Sequence, residues 1–66
     1  MQITLYTTHC PKCNVLKQKL DDKQISYSIV DDMNIMVDMG FKSAPILEVD
    51  GQFYDFTHAI QWINGR

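Results

Sequence analysis

The sequence predicts a single α/β domain, residues 1–66, with element order βαβαββα and a mixed four-stranded sheet flanked by helices. An alternating apolar run at residues 2–7, an amphipathic run at 11–23 and a second alternating run at 25–30 form a strand–helix–strand unit. The two strands of such a unit are parallel. Asp50-Gly51 separates two further apolar runs and is a preferred sequence for a two-residue hairpin turn, which joins antiparallel strands.

Hydrophobic periodicity defines the first three elements. Apolar and polar residues alternate in the first two strands, as expected where one face of a sheet is buried. In the first helix, Leu16 and Leu20 lie one turn apart and predict a buried stripe flanked by Cys13 and Val15.

Caps and turns define the remaining elements. Asp31-Asp32 supplies the N-cap of a short helix at 34–39, which Gly40 ends. A third strand covers 45–49 and begins at a proline. Met33, Met36 and Met39 are expected to fill gaps in the packing and not to form a binding surface.

The chain after the hairpin turn is predicted to contain a strand and a last helix. The strand includes Phe53 and Tyr54 and extends to Phe56, and Thr57 is the predicted N-cap of the helix. The helix carries an apolar face and ends at Gly65. Its apolar face consists of Ala59, Ile60 and Ile63. Phe53 and Trp62 are expected in the core.

Composition excludes several classes of function. The net charge of −2 provides no basic field for nucleic acid. No apolar run approaches the ~20 residues that a membrane span needs, and no signal-peptide pattern is seen. Two cysteines three residues apart do not make the disulfide framework of a secreted protein. We therefore expect a cytoplasmic protein, and a monomer.

The segment Thr8–Cys13 holds both cysteines and joins the first strand to the first helix. Cys10 is expected at the helix N-terminus, where unpaired backbone N–H groups favour a thiolate over a thiol. Pro11 fits the first helical turn, where its missing N–H costs nothing. Cys13 follows on the same helix face, with Cβ atoms roughly 5–6 Å apart, so a small adjustment would allow a disulfide.

This arrangement predicts thiol–disulfide exchange. Cys10 would attack a substrate disulfide, and the more buried Cys13 would then attack Cys10 and release the reduced substrate. Protonated His9, or Lys12, would raise the thiolate population; otherwise both are ordinary surface residues. In the simplest alternative, the two cysteines are small core residues without chemistry.

The same motif, with Ser43-Ala44-Pro45-Ile46 before the hairpin, resembles the glutaredoxin branch of the thioredoxin fold along essentially the whole chain. The resemblance implies a thiol–disulfide oxidoreductase in which Pro45 is cis and the Ala44 backbone pairs with a bound peptide. Segment 40–45 also resembles glutaredoxin-like electron donors of ribonucleotide reductase. The residues then expected to contact substrate are Tyr6, Pro11, Lys12, Ala44, Pro45 and Thr57. An apolar collar is expected from Tyr6, Phe41 and Tyr54.

The reductant stays open between glutathione and a thioredoxin-reductase-type flavoenzyme. Glutathione-binding glutaredoxins usually carry a Gly-Gly pair after the hairpin, where this chain has Asp55-Phe56-Thr57-His58. Thr57 would still offer a helix N-terminal anion site. The predicted oxidoreductase has no bound organic cofactor and no metal.

A non-catalytic binding module is the alternative from a different functional class. Cys10 and Cys13 have the spacing of half a zinc site, and His9 and His58 are potential further ligands. A second Cys-x-x-Cys pair is absent, so a metal would require these histidines or a second chain.

Overall fold

The computed structural model describes residues 1–66 and has the predicted element order. The strands are β1 (Ile3–Tyr6), β2 (Ser28–Val30), β3 (Ile46–Val49) and β4 (Gln52–Tyr54). The helices are α1 (Pro11–Asp22), α2 (Met33–Asp38) and α3 (Phe56–Asn64). None of them is long and apolar enough to cross a membrane.

The four strands form one mixed sheet in the order β2-β1-β3-β4. β1 is parallel to β2 and antiparallel to β3, and β3 is antiparallel to β4. Asp50 and Gly51 both have positive φ, 49° and 88°, as a hairpin turn of this length requires. The prediction of a small α/β fold with a mixed four-stranded sheet is therefore confirmed.

The core lies between one face of the sheet and helices α1 and α3. Alternation directs Ile3 and Leu5 of β1 to this face, where the α1 stripe of Leu16 and Leu20 packs with them. The other buried members of the cluster are Leu47, Val49, Ala59 and Ile63. Val15 is 44% exposed, so it lies outside the stripe that it was expected to flank.

The second strand is shorter than its alternating sequence predicts. Gln24 adopts a left-handed conformation (φ 57°), and the Ile25 N–H donates to the Leu20 carbonyl at 3.0 Å. The chain is therefore still closing the C-terminus of α1 at Ile25. Ile25 and Tyr27 pack against the core before the ladder begins at Ser28.

The predicted cap of the last helix was wrong. Asp55, not Thr57, is the N-cap of α3, and its Oδ1 accepts from the His58 N–H at 2.9 Å. Phe56 is the first residue of α3 instead of the end of β4. Asp is preferred over Thr as an N-cap, and moving the cap two residues back adds a half turn to the helix.

The sheet face away from α1 and α3 carries a thinner cover, and some residues expected in the interior are exposed there. Phe53 is 51% exposed, with its ring edge-on to Phe41 at 5.6 Å between centroids. In α2 only Met36 is buried. Met33 and Met39 are exposed, so they do not fill gaps in the packing as expected.

Candidate functional site

The turn between β1 and α1 brings Cys10 to the start of the helix. Thr7 is buried, its N–H donates to the Val30 carbonyl at 3.0 Å, and its Oγ1 accepts from the His9 N–H at 2.9 Å. His9 has φ 60°, a left-handed conformation that reverses the chain direction. Cys10 is then the N-cap of α1, and Pro11 is its first helical residue. Both positions agree with the sequence prediction.

The two cysteine sulfurs lie next to each other. Their Sγ atoms are 2.6 Å apart, and Cys10 Sγ accepts from the Cys13 N–H at 3.3 Å. Cys13 is 1% exposed, whereas Cys10 is only half-buried. A partner in solution can therefore reach Cys10 but not Cys13. The sulfur–sulfur distance is within about 0.6 Å of a disulfide bond length.

The environment of the pair favours a thiolate. Burial raises the pKa of Cys13, but hydrogen bonds with Cys10, with the Thr7 side chain and with the backbone at Thr8 lower it more. The net effect is a pKa lowered from 9.0 to about 7. Because the sulfurs are in contact, the two thiols titrate as a coupled pair, and the first pKa belongs to the pair and not to one residue. At neutral pH the reduced pair therefore holds a substantial fraction of thiolate.

The segment before β3 lies beside Cys10. The Ala44–Pro45 peptide bond is cis, as the resemblance implies, and Pro45 is buried. Cys10 Sγ is 3.9 Å from the Ala44 carbonyl oxygen. The Ala44 N–H makes no hydrogen bond within the protein. The residue whose carbonyl lies next to the accessible Cys10 sulfur therefore also has a free backbone N–H donor.

Two grooves meet at Ser43 and Ala44. The first, the methionine groove, has a volume of about 290 Å³ and includes Cys10. Its other lining residues are Thr8, Met33, Met36, Val37, Phe41, Lys42, Ser43 and Ala44. The second, the lysine groove, has a volume of about 180 Å³ and is lined by Lys12, Ser43, Ala44, Pro45, Asp55, Phe56 and Thr57. A third depression lies at the amino ends of β1 and β2, remote from the cysteines.

The lysine groove brings together four of the six predicted substrate contacts: Lys12, Ala44, Pro45 and Thr57. Pro11 is exposed at the start of α1 but lines neither groove. Tyr6 is buried behind Phe41, and its hydroxyl donates to Glu48 at 2.8 Å. Tyr6 therefore supports the groove wall instead of presenting a surface to a partner.

The predicted aromatic collar is divided between the two faces of the sheet. Tyr6 and Phe41 pack edge to face, 4.9 Å between centroids, on the face that carries the methionine groove. Tyr54 packs against Trp62 of α3 with the core on the other face. The prediction of Tyr54 in the collar was wrong. Adjacent strand residues point to opposite faces, so Phe53 reaches Phe41 and Tyr54 points to the core.

Each histidine is held by its own carboxylate. His9 Nε2 is 3.1 Å from Asp31, and His58 Nδ1 is 2.7 Å from Asp55. No group of three or more histidine, cysteine, aspartate or glutamate side chains is placed to hold a metal ion. Neither histidine therefore joins the cysteines as a ligand within one chain.

Several groove residues were not predicted from the sequence. Lys42, Ser43 and Val37 line the grooves beside Ala44, and Asp55 and Phe56 line the lysine groove. The N-cap preference of aspartate was the one signal that could have identified Asp55.

Comparison with known proteins adds no relative: no protein-family model matches the chain, and no curated protein matches it.

Proposed function

We propose that this protein is a small glutaredoxin-like thiol–disulfide oxidoreductase with a thioredoxin-like fold, which reduces disulfides in partner proteins. The observation that carries the proposal is the cysteine pair at the start of α1. The two sulfurs are adjacent, and only Cys10 is accessible. An accessible nucleophile with a buried second thiol in contact is the arrangement that thiol–disulfide exchange requires.

In the proposed mechanism, the Cys10 thiolate attacks one sulfur of the partner disulfide. A mixed disulfide forms and the other partner sulfur leaves as a thiolate. The Cys13 thiolate then attacks Cys10, forms the Cys10–Cys13 disulfide and releases the second partner sulfur as a thiolate. The partner gains two electrons and the protein loses two. The hydrogen bond from the Cys13 N–H stabilises negative charge on Cys10 whenever it leaves or attacks.

The backbone at Ala44 is the proposed docking point for the partner chain. Its carbonyl oxygen lies 3.9 Å from Cys10 Sγ, and its N–H is free to pair with an extended segment in the manner of an added strand. Ribonucleotide reductase remains the candidate partner that the resemblance suggests. We propose that the protein works as a monomer in the cytoplasm, where reductants keep such a dithiol reduced.

Insulin-disulfide reduction with dithiothreitol as the neutral reductant tests the proposal. We expect the wild type to accelerate the reaction and Cys10→Ser to be inactive. Reduced Cys13→Ser, mixed with insulin after dithiothreitol has been removed, should instead accumulate the mixed disulfide, because no second thiol is present to displace Cys10; mass spectrometry of the acid-quenched reaction detects it. Lys17→Gln, on the exposed side of α1, serves as the control and should match the wild type.

An inactive wild type that folds normally would refute the oxidoreductase. Stoichiometric zinc in that inactive protein would support a metal-binding module instead. Equal activity of Cys10→Ser and wild type would refute the assignment of Cys10 as the nucleophile.

A further inference from the structure

We infer that Asp31 is a positioning residue for the thiol–disulfide exchange: through its hydrogen bond with His9, it holds the turn that places Cys10 at the start of α1. This inference rests on the proposed function and adds a residue to the groups that carry it out. Asp31 lies outside the cysteine motif, in the segment between β2 and α2.

The residue before Cys10 has an unfavourable backbone conformation. His9 has φ 60°, in the left-handed region, where the Cβ of a residue other than glycine lies too close to the backbone. Such a conformation persists only where the surrounding structure holds it. One of these restraints comes from Thr7, whose Oγ1 accepts from the His9 N–H at 2.9 Å.

Asp31 provides a second restraint, on the His9 side chain. Its Oδ2 lies 3.1 Å from His9 Nε2. Asp31 directly follows β2, and the Val30 carbonyl accepts from the Thr7 N–H at 3.0 Å. The pairing of β1 with β2 therefore continues up to Asp31. The His9 ring thus connects the turn before α1 to a segment that the sheet holds in place.

The position of Cys10 depends on this turn. Cys10 is the N-cap of α1 with φ −74° and ψ 167°, and in this position its Sγ accepts from the Cys13 N–H at 3.3 Å. That hydrogen bond stabilises negative charge on the Cys10 sulfur. Without the Asp31 restraint, His9 relaxes toward a right-handed conformation for part of the time. Cys10 then leaves the N-cap position, and its thiolate loses this donor.

The sign of the effect separates positioning from a direct effect of charge. An anion near a thiol disfavours its ionisation. Removal of the Asp31 charge alone would therefore make Cys10 more reactive, whereas loosening of the turn makes it less reactive. The side chains of His9 and Asp31 are 59% and 61% exposed, and exposed pairs of this kind contribute little free energy, so we expect a modest change.

The test measures alkylation of Cys10 by iodoacetamide in the reduced protein at pH 7. The Cys10 thiolate attacks the methylene carbon, a thioether forms and iodide leaves. Iodoacetamide is uncharged, so its approach does not depend on the net charge of the protein. Mass spectrometry of the digested protein identifies the alkylated cysteine, and thermal melting checks the fold of each variant.

Three single variants divide the possible causes. Asp31→Ala removes the hydrogen bond and the charge together. Asp31→Asn removes only the charge, because its side-chain oxygen still accepts from an imidazole N–H. Asp22→Ala is the matched control for net charge, since Asp22 is exposed at the end of α1 and lines neither groove.

We expect Asp31→Ala to lower the alkylation rate about threefold, and Asp31→Asn and Asp22→Ala to react as the wild type does. In a His9→Ala background, Asp31→Ala should have no further effect, because Asp31 acts only through His9. An unchanged or faster rate in Asp31→Ala, or equal slowing in Asp31→Asn, would overturn the inference. Slowing by Asp31→Ala in the absence of His9 would also overturn it. Alkylation needs no disulfide partner, so failure of the insulin assay is a separate result.

Discussion

At the scale of the residue, two cysteines of one motif have unequal surroundings. Cys13 points into the domain beneath Thr8, whose Oγ1 is 3.9 Å from its sulfur, and solvent does not reach it. Cys10, nearly one helical turn earlier, lines the methionine groove. Helix geometry produces this difference, since residues three apart share a face but differ in depth. The two sulfurs are nevertheless in contact, so the ionisation of one thiol changes the pKa of the other.

We predict that the reduced protein loses its first thiol proton near pH 7, because hydrogen bonds to the Cys13 sulfur outweigh its burial. Thiolate absorbance near 240 nm, followed from pH 5 to 10, measures this ionisation. Cys13→Ser should remove the low-pH step. A first ionisation in the wild type at the unperturbed thiol value of 9.0 would contradict the prediction.

The lowered pKa also links stability to pH. Folding lowers the pKa of the Cys13 thiol from 9.0 to about 7. Ionisation of this thiol therefore stabilises the folded state fully above pH 9, and the contribution is lost as the pH falls through about 7. The reduced wild type should therefore lose stability between pH 9 and pH 6 by more than Cys13→Ser does, as measured by urea unfolding.

At the scale of the element, the order of strands and helices was predictable because each pattern has a local cause. Alternation in β1, the α1 stripe and the Asp50-Gly51 turn each specify one element with little help from the rest of the chain. Predictions failed where two local patterns compete. Residues 25–27 alternate like a strand, but the left-handed turn at Gln24 assigns Ile25 to the end of α1.

The candidate site was predictable only in part for the same reason. Cys10, Pro11 and Cys13 adjoin in sequence, so their positions on one helix could be derived. Lys12 and Asp55 are far apart in sequence and line one groove only because β2, β3 and β4, which lie between them, pair in a particular register. No local pattern encodes that register, and the same applies to the separation of Tyr54 from Phe41.

The assignment of Asp55 as the cap of α3 leads to a prediction about stability. Asp55→Ala removes the acceptor for the His58 N–H and the charge at the helix N-terminus, and should lower the melting temperature by a few degrees. Thr57→Ala lies within the first turn, where alanine is a better helix former, and should not lower it. Thermal unfolding followed by circular dichroism measures both. A larger loss for Thr57→Ala would return the cap to Thr57.

At the scale of the whole molecule, packing is uneven across the sheet. β1 and β3 are paired on both sides and bury Leu5 and Leu47 against α1 and α3. On the opposite face Phe41 packs against Tyr6 and Phe53, outside the core cluster, and α2 buries a single residue, Met36. A domain of 66 residues buries only about 60% of the surface of its unfolded chain, so its free energy of unfolding is small. The poorly packed face of the sheet is therefore the part of the fold with the least stability to lose.

We therefore predict that α2 opens independently of the rest of the fold. Native-state hydrogen exchange should find the slowest amides in β1 and β3, and faster exchange in α2 through local opening. Met36→Ala should raise exchange in α2 at least tenfold, because it removes the one buried anchor of that helix. Leu47→Ala, in the central core, should instead accelerate exchange throughout the molecule. Protection of α2 equal to that of β1 would contradict local opening, and would mean that the methionine groove is as rigid as the core.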